Sequence, residues 1–283
     1  MKVVDTIPRM SALVKIFKKE GRSIGLIPTM GCLHEGHLSL VRAARKHTDV
    51  VIVSIFVNPI QFGPKEDFEK YPRDLKRDEE LAASAGGDII FNPSVREMYP
   101  PRYSTYVDVE GLTDTLCGAR RPGHFKGVTT VVAKLFEIAR PDIAYFGQKD
   151  AQQAIAIKKM ADDLNMGIEI KIMPIIRDSD GLAMSSRNAY LSPGERSDAG
   201  ILYRALQKAG EMVRSGERDA KKIVKMMQVL IRSVPGTKID YVSVVDTAEL
   251  KDVKMITGEV LIAIAVFVGK TRLIDNIIAK GAK

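Results

Sequence analysis

Residues 23–44 read SIGLIPTMGCLHEGHLSLVRAA and indicate the type of fold. Residues 23–27 form an apolar run of the length of a buried strand, and residues 38–44 carry apolar side chains at helical spacing. Residues 28–37 therefore form a loop that leads from a strand into a helix. In open α/β sheets, ligands bind at this kind of junction, outside the carboxyl ends of the strands.

Two histidines in that loop, His34 and His37, indicate a site for phosphate groups. They lie one helical turn apart, so both imidazoles can donate to one anion. The start of the helix is expected to add unpaired N–H groups and the positive end of its dipole. Zinc is the alternative ligand, but it is disfavoured because the chain has two cysteines, not at ligand spacing, and only four histidines.

The composition is that of a globular protein of 283 residues, 45% hydrophobic and 28% charged, with a net charge of +8. This length favours two domains. Residues 1–22 lack the uncharged apolar core of a signal peptide, and the apolar runs at 50–57 and 260–268 are too short to cross a bilayer. We therefore expect a cytoplasmic protein with reduced cysteines, no membrane contact and small anionic substrates.

Strand and helix patterns alternate along the first part of the chain. Strand patterns occur at 23–27, 50–57, 88–91, 142–146 and 168–176, and helical patterns at 36–46, 74–85, 127–139 and 150–165. This alternation predicts an α/β fold over residues 1–176, a Rossmann-like, doubly wound parallel sheet with helices on both faces.

After residue 176 the order of the elements changes. Helical patterns occur at 193–214 and 218–233, and strand patterns follow at 238–245 and 259–268. Helices followed by strands of antiparallel type predict a second, smaller α+β domain over residues 177–283, which would act as a lid.

Polar side chains follow the apolar run at 50–57. Pro59 stops this strand and leaves the amides of Asn58 and Gln61 at its carboxyl end. Asparagine in such a turn often bonds only its own backbone, whereas Gln61 has less local reason to lie there. We therefore expect Gln61, more than Asn58, to contact a polar ligand.

The strand at 142–146 ends in a similar way. Gly147 permits close approach of a ligand to the backbone, and Lys149 supplies a positive charge at the start of the next helix. Asp150 is a natural N-cap for that helix. Gln153 lies one turn further on and faces either the crevice or the solvent.

A loop near the expected domain boundary, residues 181–188, carries two hydroxyls beside an arginine, namely Ser185, Ser186 and Arg187. Such side chains bind phosphate, and a loop hinged between domains can close over a nucleotide. Residues 118–127 form another basic, glycine-rich segment, which is either a flap that contacts anions or an ordinary surface loop.

Together these motifs resemble those of the pantothenate synthetase family. In chain order they are PTMG and HEGH within 28–37, FVNP at 56–59 with Gln61, RPGHF at 121–125, FGQKD at 146–150 with Gln153, and MSSRN at 184–188. The HEGH type of motif alone is shared by a wider nucleotidyltransferase superfamily that includes class I aminoacyl-tRNA synthetases, whereas the ordered set is specific. Cys32 stands where alanine is expected in this family.

The resemblance implies an AMP-forming ligase that condenses (R)-pantoate with β-alanine in pantothenate and coenzyme A biosynthesis. ATP would activate the pantoate carboxylate as a pantoyl adenylate with release of pyrophosphate, and the β-alanine amine would then displace AMP. The resemblance also implies Mg²⁺ bound with ATP, through ligands that the sequence leaves unknown, and a homodimer. Nucleic acid is not expected as a partner.

The resemblance further implies which residues act. The predicted catalytic residues are His34, His37, Lys149, Ser185, Ser186 and Arg187. The predicted ATP site comprises Pro28, Met30, Gly31, Cys32, Leu33, His34, Glu35, Gly36, His37, Gly147, Gln148, Lys149, Asp150, Ile176, Met184, Ser185, Ser186 and Arg187. The predicted pantoate site comprises Met30, Asn58, Gln61 and Gln153, and Gln61 is also expected to face β-alanine.

The resemblance implies that His37 acts as a general acid. Since pyrophosphate leaves well with magnesium bound, we expect His37 to stabilise charge on the phosphates instead of delivering a proton.

Two other functions fit part of the pattern. An enzyme that transfers adenylyl groups to a phosphorylated acceptor would share the histidines and the loop at 184–187, but it would keep AMP in its product. A regulatory module would bind ATP without catalysis, although such a module has no need of Gln61 and Gln153 as a second polar pocket. Nucleic-acid binding is disfavoured because the positive charge is diffuse.

Overall fold

The computed structural model describes residues 1–64 and 66–281. The strands are β1 (Lys2–Val4), β2 (Ile24–Thr29), β3 (Val50–Ile55), β4 (Ile89–Phe91), β5 (Ile143–Gly147), β6 (Glu169–Met173), β7 (Thr237–Asp246), β8 (Glu259–Val268) and β9 (Thr271–Lys280). The α-helices are α1 (Ile7–Lys19), α2 (Glu35–Arg45), α3 (Leu75–Ser84), α4 (Val95–Met98), α5 (Leu116–Arg120), α6 (His124–Ala139), α7 (Ala151–Asp163), α8 (Pro193–Arg214) and α9 (Ala220–Arg232). Short 3₁₀ turns lie at Pro59–Gln61, Gln148–Asp150 and Ser186–Tyr190.

Strands β1 to β6 form one sheet in the order β1-β4-β3-β2-β5-β6, and all neighbours are parallel. From β2 the chain moves outward to β3 and β4, and it then returns to the other side of β2 as β5. The direction of winding therefore reverses between β2 and β5, which makes their carboxyl ends the expected ligand site. The predicted doubly wound α/β fold is confirmed.

The central strand β3 is buried on both faces. Val51 and Val53 pack against α2 on one face, whereas Val50 and Ile52 belong to the core formed with α1, α6 and α7 on the other. Each fully buried aliphatic side chain contributes about 1.5–3 kcal/mol. An apolar run without polar alternation is therefore what this two-sided core requires.

The second sheet, β7-β8-β9, is antiparallel and packs against α8 and α9. In β8, Ile262 and Ile264 belong to the core with these two helices, whereas Leu261 and Ala263 contact the core of the large sheet. The small unit is thus attached to the large one through β8. The boundary expected at residue 176 falls between β6 and α8 and stays a prediction, and residues 282 and 283 lie outside the described part.

Strand β9 was not predicted, because Asp275 and Asn276 interrupt its apolar pattern. Both side chains are buried. The Asp275 carboxylate accepts two hydrogen bonds from Arg177, at 2.6 and 3.0 Å, across the two parts of the chain. Within residues 1–64 and 66–281, no helix combines the length and the hydropathy needed to cross a membrane.

Candidate active site

Two neighbouring cavities lie at the carboxyl ends of β2 and β5. The smaller, here called the histidine cavity, has a volume of about 200 Å³, and the larger, the intersheet cavity, has about 670 Å³. Of the predicted site residues, those lining the histidine cavity are Pro28, Met30, His34, Gly36, His37, Gln61, Gly147, Lys149, Asp150, Gln153, Ile176, Met184, Ser185, Ser186 and Arg187. Those lining neither cavity are Gly31, Cys32, Leu33, Glu35, Asn58 and Gln148.

The two histidines are fixed by the way α2 begins. His34 is the N-cap residue, and its Nδ1 accepts from the Gly36 N–H at 3.2 Å. The Nδ1 of His37 accepts from the His34 N–H at 3.4 Å, and the two ring centroids are 4.1 Å apart. A neutral ring that accepts at Nδ1 carries its proton at Nε2. Both rings therefore have an Nε2–H available as a donor.

Both histidines are neutral at physiological pH. Burial, and then the charge of Lys149, lowers the pKa of His34 to about 4. Burial, and then the neighbouring His34, holds the pKa of His37 well below its usual range. The imidazoles thus act as uncharged hydrogen-bond donors until an anion raises these pKa values.

The N–H groups of residues 31–33, which precede the start of α2, all have partners within the protein. The Gly31 N–H donates to Thr29 Oγ1 at 3.1 Å, and the Asp78 carboxylate accepts from Cys32 and Leu33 at 2.8 and 2.7 Å. A buried N–H without a partner is costly, and Asp78 supplies the partner. Asp78 was missed because it lies in the polar helix α3, where nothing in the pattern marks it.

Cys32 and Glu35 lie outside the cavities. Cys32 has a left-handed backbone, with φ of 52°, and burial and Asp78 raise the pKa of its thiol. The shift favours the protonated thiol over the thiolate. The Glu35 carboxylate forms an ion pair with Arg42 of the same helix.

The amide of Asn58 is buried and fully engaged within the protein. Its Nδ2 donates to the Gly127 carbonyl at 3.0 Å and to Gln61 Oε1 at 3.1 Å, and its Oδ1 accepts from the Tyr99 hydroxyl at 2.9 Å. Gln61 lies at the cavity wall, where its Nε2 is 3.0 Å from Met30 Sδ. Asn58 thus supports Gln61, and its predicted contact with pantoate stays a prediction.

The turn after β5 is held by Asn276 of β9. Its Nδ2 donates to the carbonyls of Gln148 and Lys149 at 2.9 and 3.0 Å, and its Oδ1 accepts from Gln148 Nε2 at 3.2 Å. Asp150 occupies the N-cap position of α7 as predicted, but its side chain makes no capping bond. Its carboxylate instead lies 3.5 Å from Lys149 Nζ, at the wall shared by both cavities.

The loop at 184–188 brings its hydroxyls and its arginine to the cavities. Ser185 Oγ accepts from the Arg187 N–H at 3.3 Å, and Ser186 Oγ lies 3.4 Å from the Tyr71 hydroxyl. The Arg187 guanidinium pairs with Asp67. The loop is therefore held by the segment that contains Asp67 and Tyr71.

The glycine-rich segment 118–127 is bonded within the protein. The Arg121 guanidinium binds both Glu66 oxygens at 2.7 and 2.5 Å, and it lies 2.9 Å from His124 Nε2. His124 Nδ1 is 2.8 Å from the Gln61 carbonyl, so this nitrogen carries the proton and donates. Burial and Arg121 lower the pKa of His124 to about 4. This segment therefore holds the backbone of Gln61 through the carbonyl oxygen of that residue.

The described residues do not form a resident metal centre. In residues 1–64 and 66–281, no three His, Cys, Asp or Glu side chains are arranged to hold a metal ion.

Comparison with known proteins identifies the family. The family model described as pantoate-beta-alanine ligase matches residues 2–278. The pantothenate synthetase of Moorella thermoacetica is 58% identical over 278 residues, covering 98% of each chain. That of Acetivibrio thermocellus is 58% identical over 280 residues, covering 99% of this chain and 100% of the relative.

Solved structures agree with these relatives. The pantothenate synthetase of Thermus thermophilus superimposes with a TM-score of 0.93 at 43% identity, covering 98% of this chain and 99% of its own. The pantoate-beta-alanine ligase of Francisella tularensis, complexed with beta-gamma ATP and beta-alanine, gives 0.81 at 33% identity, with 98% and 97% covered. The chain therefore belongs to the pantoate-beta-alanine ligase family.

Proposed function

We propose that this chain condenses (R)-pantoate with β-alanine, consuming ATP and forming pantothenate, AMP and pyrophosphate through a pantoyl adenylate. Family membership supports the reaction. The structural observation that carries the proposal is that one cavity is lined both by hydrogen-bond donors suited to phosphate, His34 and His37, and by the uncharged amides of Gln61 and Gln153. A carboxylate substrate held by the amides would lie next to a triphosphate held by the imidazoles.

In this proposal, the histidines stabilise charge and do not deliver protons. Their low pKa values leave them neutral, so each can offer one Nε2–H to an oxygen of the triphosphate. Lys149 and Arg187 line the same cavity. Their positive charges would stabilise the negative charge that accumulates on pyrophosphate as it leaves. The pantoate carboxylate attacks the α-phosphorus directly, so the protein needs no nucleophile of its own.

We assign pantoate to the part of the cavity between Met30, Gln61 and Gln153. Met30 offers apolar contact to the geminal methyl groups, and the two amides offer hydrogen bonds to the hydroxyls and the carboxylate. Gln153 lines both cavities, and within the described part of the chain its side chain has no hydrogen-bond partner. Its amide is thus available to a ligand. Gln61 faces the same space and would also meet β-alanine.

ATP would extend from the histidines along Lys149, Asp150, Ser185 and Arg187, which line both cavities. The histidine cavity alone is smaller than the about 300–1,000 Å³ of usual small-molecule sites, so the nucleotide needs the shared wall. The Asp150 carboxylate, free of capping, suits the ribose hydroxyls. We place the adenine against Ile176, with Pro28, Gly36, Gly147 and Met184 along the same path.

The predicted residues behind the cavity would act indirectly. Gly31, Cys32 and Leu33 hold the loop through Thr29 and Asp78, and Gln148 holds the turn after β5. We propose that they shape the ATP site without contacting the phosphates through their N–H groups.

Three further features complete the proposal. Magnesium would enter as the MgATP complex, because the described residues supply no cluster of ligands. The homodimer, which the family resemblance implies, and the cytoplasmic location, which we expect from the sequence pattern, stay predictions. Light scattering after size-exclusion chromatography would measure the oligomeric state.

The decisive experiment measures products from purified, folded protein with MgATP. Pantoate alone should release pyrophosphate, and β-alanine should stimulate turnover and release AMP. Absence of pantoate-dependent pyrophosphate release would overturn the proposed function, and AMP retained in the product would favour an adenylyltransferase.

The pantoate assignment has its own test. Gln153→Ala should raise the pantoate KM by about tenfold with little change in the Kd for ATP, since one hydrogen bond to a charged group contributes about 1.5 kcal/mol. Gln228→Ala is the matched control, because Gln228 lies in α9 and lines neither cavity. An unchanged pantoate KM in Gln153→Ala would remove Gln153 from the site.

A further inference from the structure

We infer that Tyr99 is a positioning residue for this reaction: acting through Asn58, it holds Gln61 with its amide NH₂ group, and not its oxygen, toward the substrate. The inference rests on the proposed function, because Gln61 is the residue that we assign to pantoate. It goes further, because it states which atom of Gln61 the substrate meets and how Tyr99, together with the Gly127 carbonyl, holds Asn58 in the orientation that exposes this atom.

The orientation of Asn58 is set by a backbone carbonyl. The Gly127 carbonyl oxygen can only accept a hydrogen bond, and it lies 3.0 Å from the Asn58 side chain. The atom facing it must therefore be Nδ2. The absence of a side chain at Gly127 lets α6 lie this close to the turn that contains Gln61, because a Cβ there would lie 2.5 Å from the Ile60 carbonyl oxygen.

The opposite end of the Asn58 amide is held by Tyr99. The Tyr99 hydroxyl donates to Asn58 Oδ1 at 2.9 Å, and burial raises the pKa of this phenol, which keeps it protonated. Asn58 Nδ2 has a second hydrogen, which is directed to Gln61 at 3.1 Å. Since Nδ2 donates, the Gln61 atom that meets it must be the acceptor Oε1.

The remaining end of Gln61 is therefore its NH₂ group. Its Nε2 lies 3.0 Å from Met30 Sδ, at the wall of the histidine cavity. A substrate atom that meets this group must accept a hydrogen bond, as a carboxylate or hydroxyl oxygen does. A substrate that placed an amide NH₂ or an ammonium group there would bring two donors together. The chain from Tyr99 thus selects an acidic or hydroxylated substrate over its amide analogue.

The phenol can be removed without removing the ring. The Tyr99 ring packs near Phe56 and Tyr103, with centroids 6.0 and 5.0 Å away, and phenylalanine preserves these contacts. Tyr103 provides the control, because it belongs to the same aromatic group and its hydroxyl makes no hydrogen bond to any described residue. Tyr103→Phe therefore removes an equivalent hydroxyl that lies outside the chain to Gln61.

The test compares steady-state kinetics of Tyr99→Phe and Tyr103→Phe with wild type. Tyr99→Phe should raise the pantoate KM by roughly 3- to 10-fold, the effect of losing one neutral hydrogen bond, and should leave the ATP KM unchanged. Tyr103→Phe should change neither. In an Asn58→Ala background, Tyr99→Phe should have no further effect, because the path to Gln61 is already broken.

An unchanged pantoate KM in Tyr99→Phe, or an equal rise for ATP and pantoate, would overturn the inference. A second measurement does not depend on activity. The Asn58 side-chain amide hydrogens should exchange with water faster in Tyr99→Phe than in wild type or Tyr103→Phe, and equal rates would also overturn it. Failure of the proposed function would be recognised separately, as a wild-type protein that releases no pyrophosphate with pantoate.

Discussion

The Arg187 guanidinium and the Asp67 carboxylate are paired through two N···O contacts of 3.2 and 3.3 Å. Both side chains are about 30% exposed, at 33% and 26%, so water screens part of the attraction. In our proposal, Arg187 contacts the triphosphate. An incoming phosphate must therefore compete with Asp67 for the same guanidinium.

Asp67→Asn should tighten ATP binding. Removing the competing carboxylate leaves Arg187 without its ion pair, and a pair of this exposure is worth about 0–1 kcal/mol, so the Kd for ATP should fall by up to about fivefold. Isothermal titration calorimetry of wild type and variant measures this Kd. Glu69→Gln, at an exposed position of the same segment, is the charge-matched control and should leave the Kd unchanged. Weaker ATP binding in Asp67→Asn would mean that Asp67 positions Arg187 instead of competing for it.

The histidines should differ in tautomer. Long-range ¹H–¹⁵N spectra at pH 7 should show His34 and His37 protonated at Nε2 and His124 protonated at Nδ1, because their opposite nitrogens accept hydrogen bonds. In the free protein this pattern should persist at pH 5.5. A charged His37 ring at that pH would contradict the proposal that His37 is an uncharged hydrogen-bond donor. It would instead support a role of His37 as a general acid.

The free energy of unfolding should fall as the pH falls from 6.5 toward 4. The folded-state pKa values of His34 and His124 are lowered to about 4 from 6.5, so in this window the unfolded chain binds more protons than the folded one. Urea denaturation at several pH values measures the slope. His124→Gln should reduce the slope by up to about 1.4 kcal/mol per pH unit. An unchanged slope would show that His124 is not neutral in the fold.

Gly127→Ala should destabilise the fold and disturb Gln61. The added Cβ would lie 2.5 Å from the Ile60 carbonyl oxygen and 2.7 Å from the Gln61 backbone nitrogen, so the turn must move, at a cost of about 1–3 kcal/mol. The pantoate KM should rise as well. Gly200→Ala, in helix α8 with no atom within 4 Å of the added Cβ, should instead be neutral or stabilising by up to about 1 kcal/mol. Equal stability of the two variants would contradict this packing.

Much of the fold could be predicted because the central strands are buried on both faces and appear in the sequence as apolar runs. Strand β9 could not, since Asp275 is acceptable inside it only because Arg177, almost a hundred residues away, pairs with it. A pattern confined to neighbouring residues cannot show that partner. The same limit hid the contact of Asn276 with the turn after β5.

The motifs likewise placed most of the candidate site residues at one cavity, but they did not show how its hydrogen bonds are distributed. They did not show that Asp78 in α3 accepts from the N–H groups of Cys32 and Leu33 in the loop after β2. The motifs included Asn58, but they did not show that Tyr99 and Gly127 bind its amide. Asp78, Tyr99 and Gly127 are each more than forty residues away in sequence from the residues that they bind.

The hydrogen bonds from the loop after β2 to Asp78 affect how the protein would bind the small anions of a cell. A loop with open N–H groups would hold inorganic phosphate or sulfate on its own, and those ions would then inhibit the enzyme. Here a single small anion meets two uncharged imidazoles, and the loop N–H groups of Cys32 and Leu33 are already occupied. In our proposal the triphosphate is therefore held by side chains, the two imidazoles together with Lys149 and Arg187, and not by the N–H groups of Cys32 and Leu33.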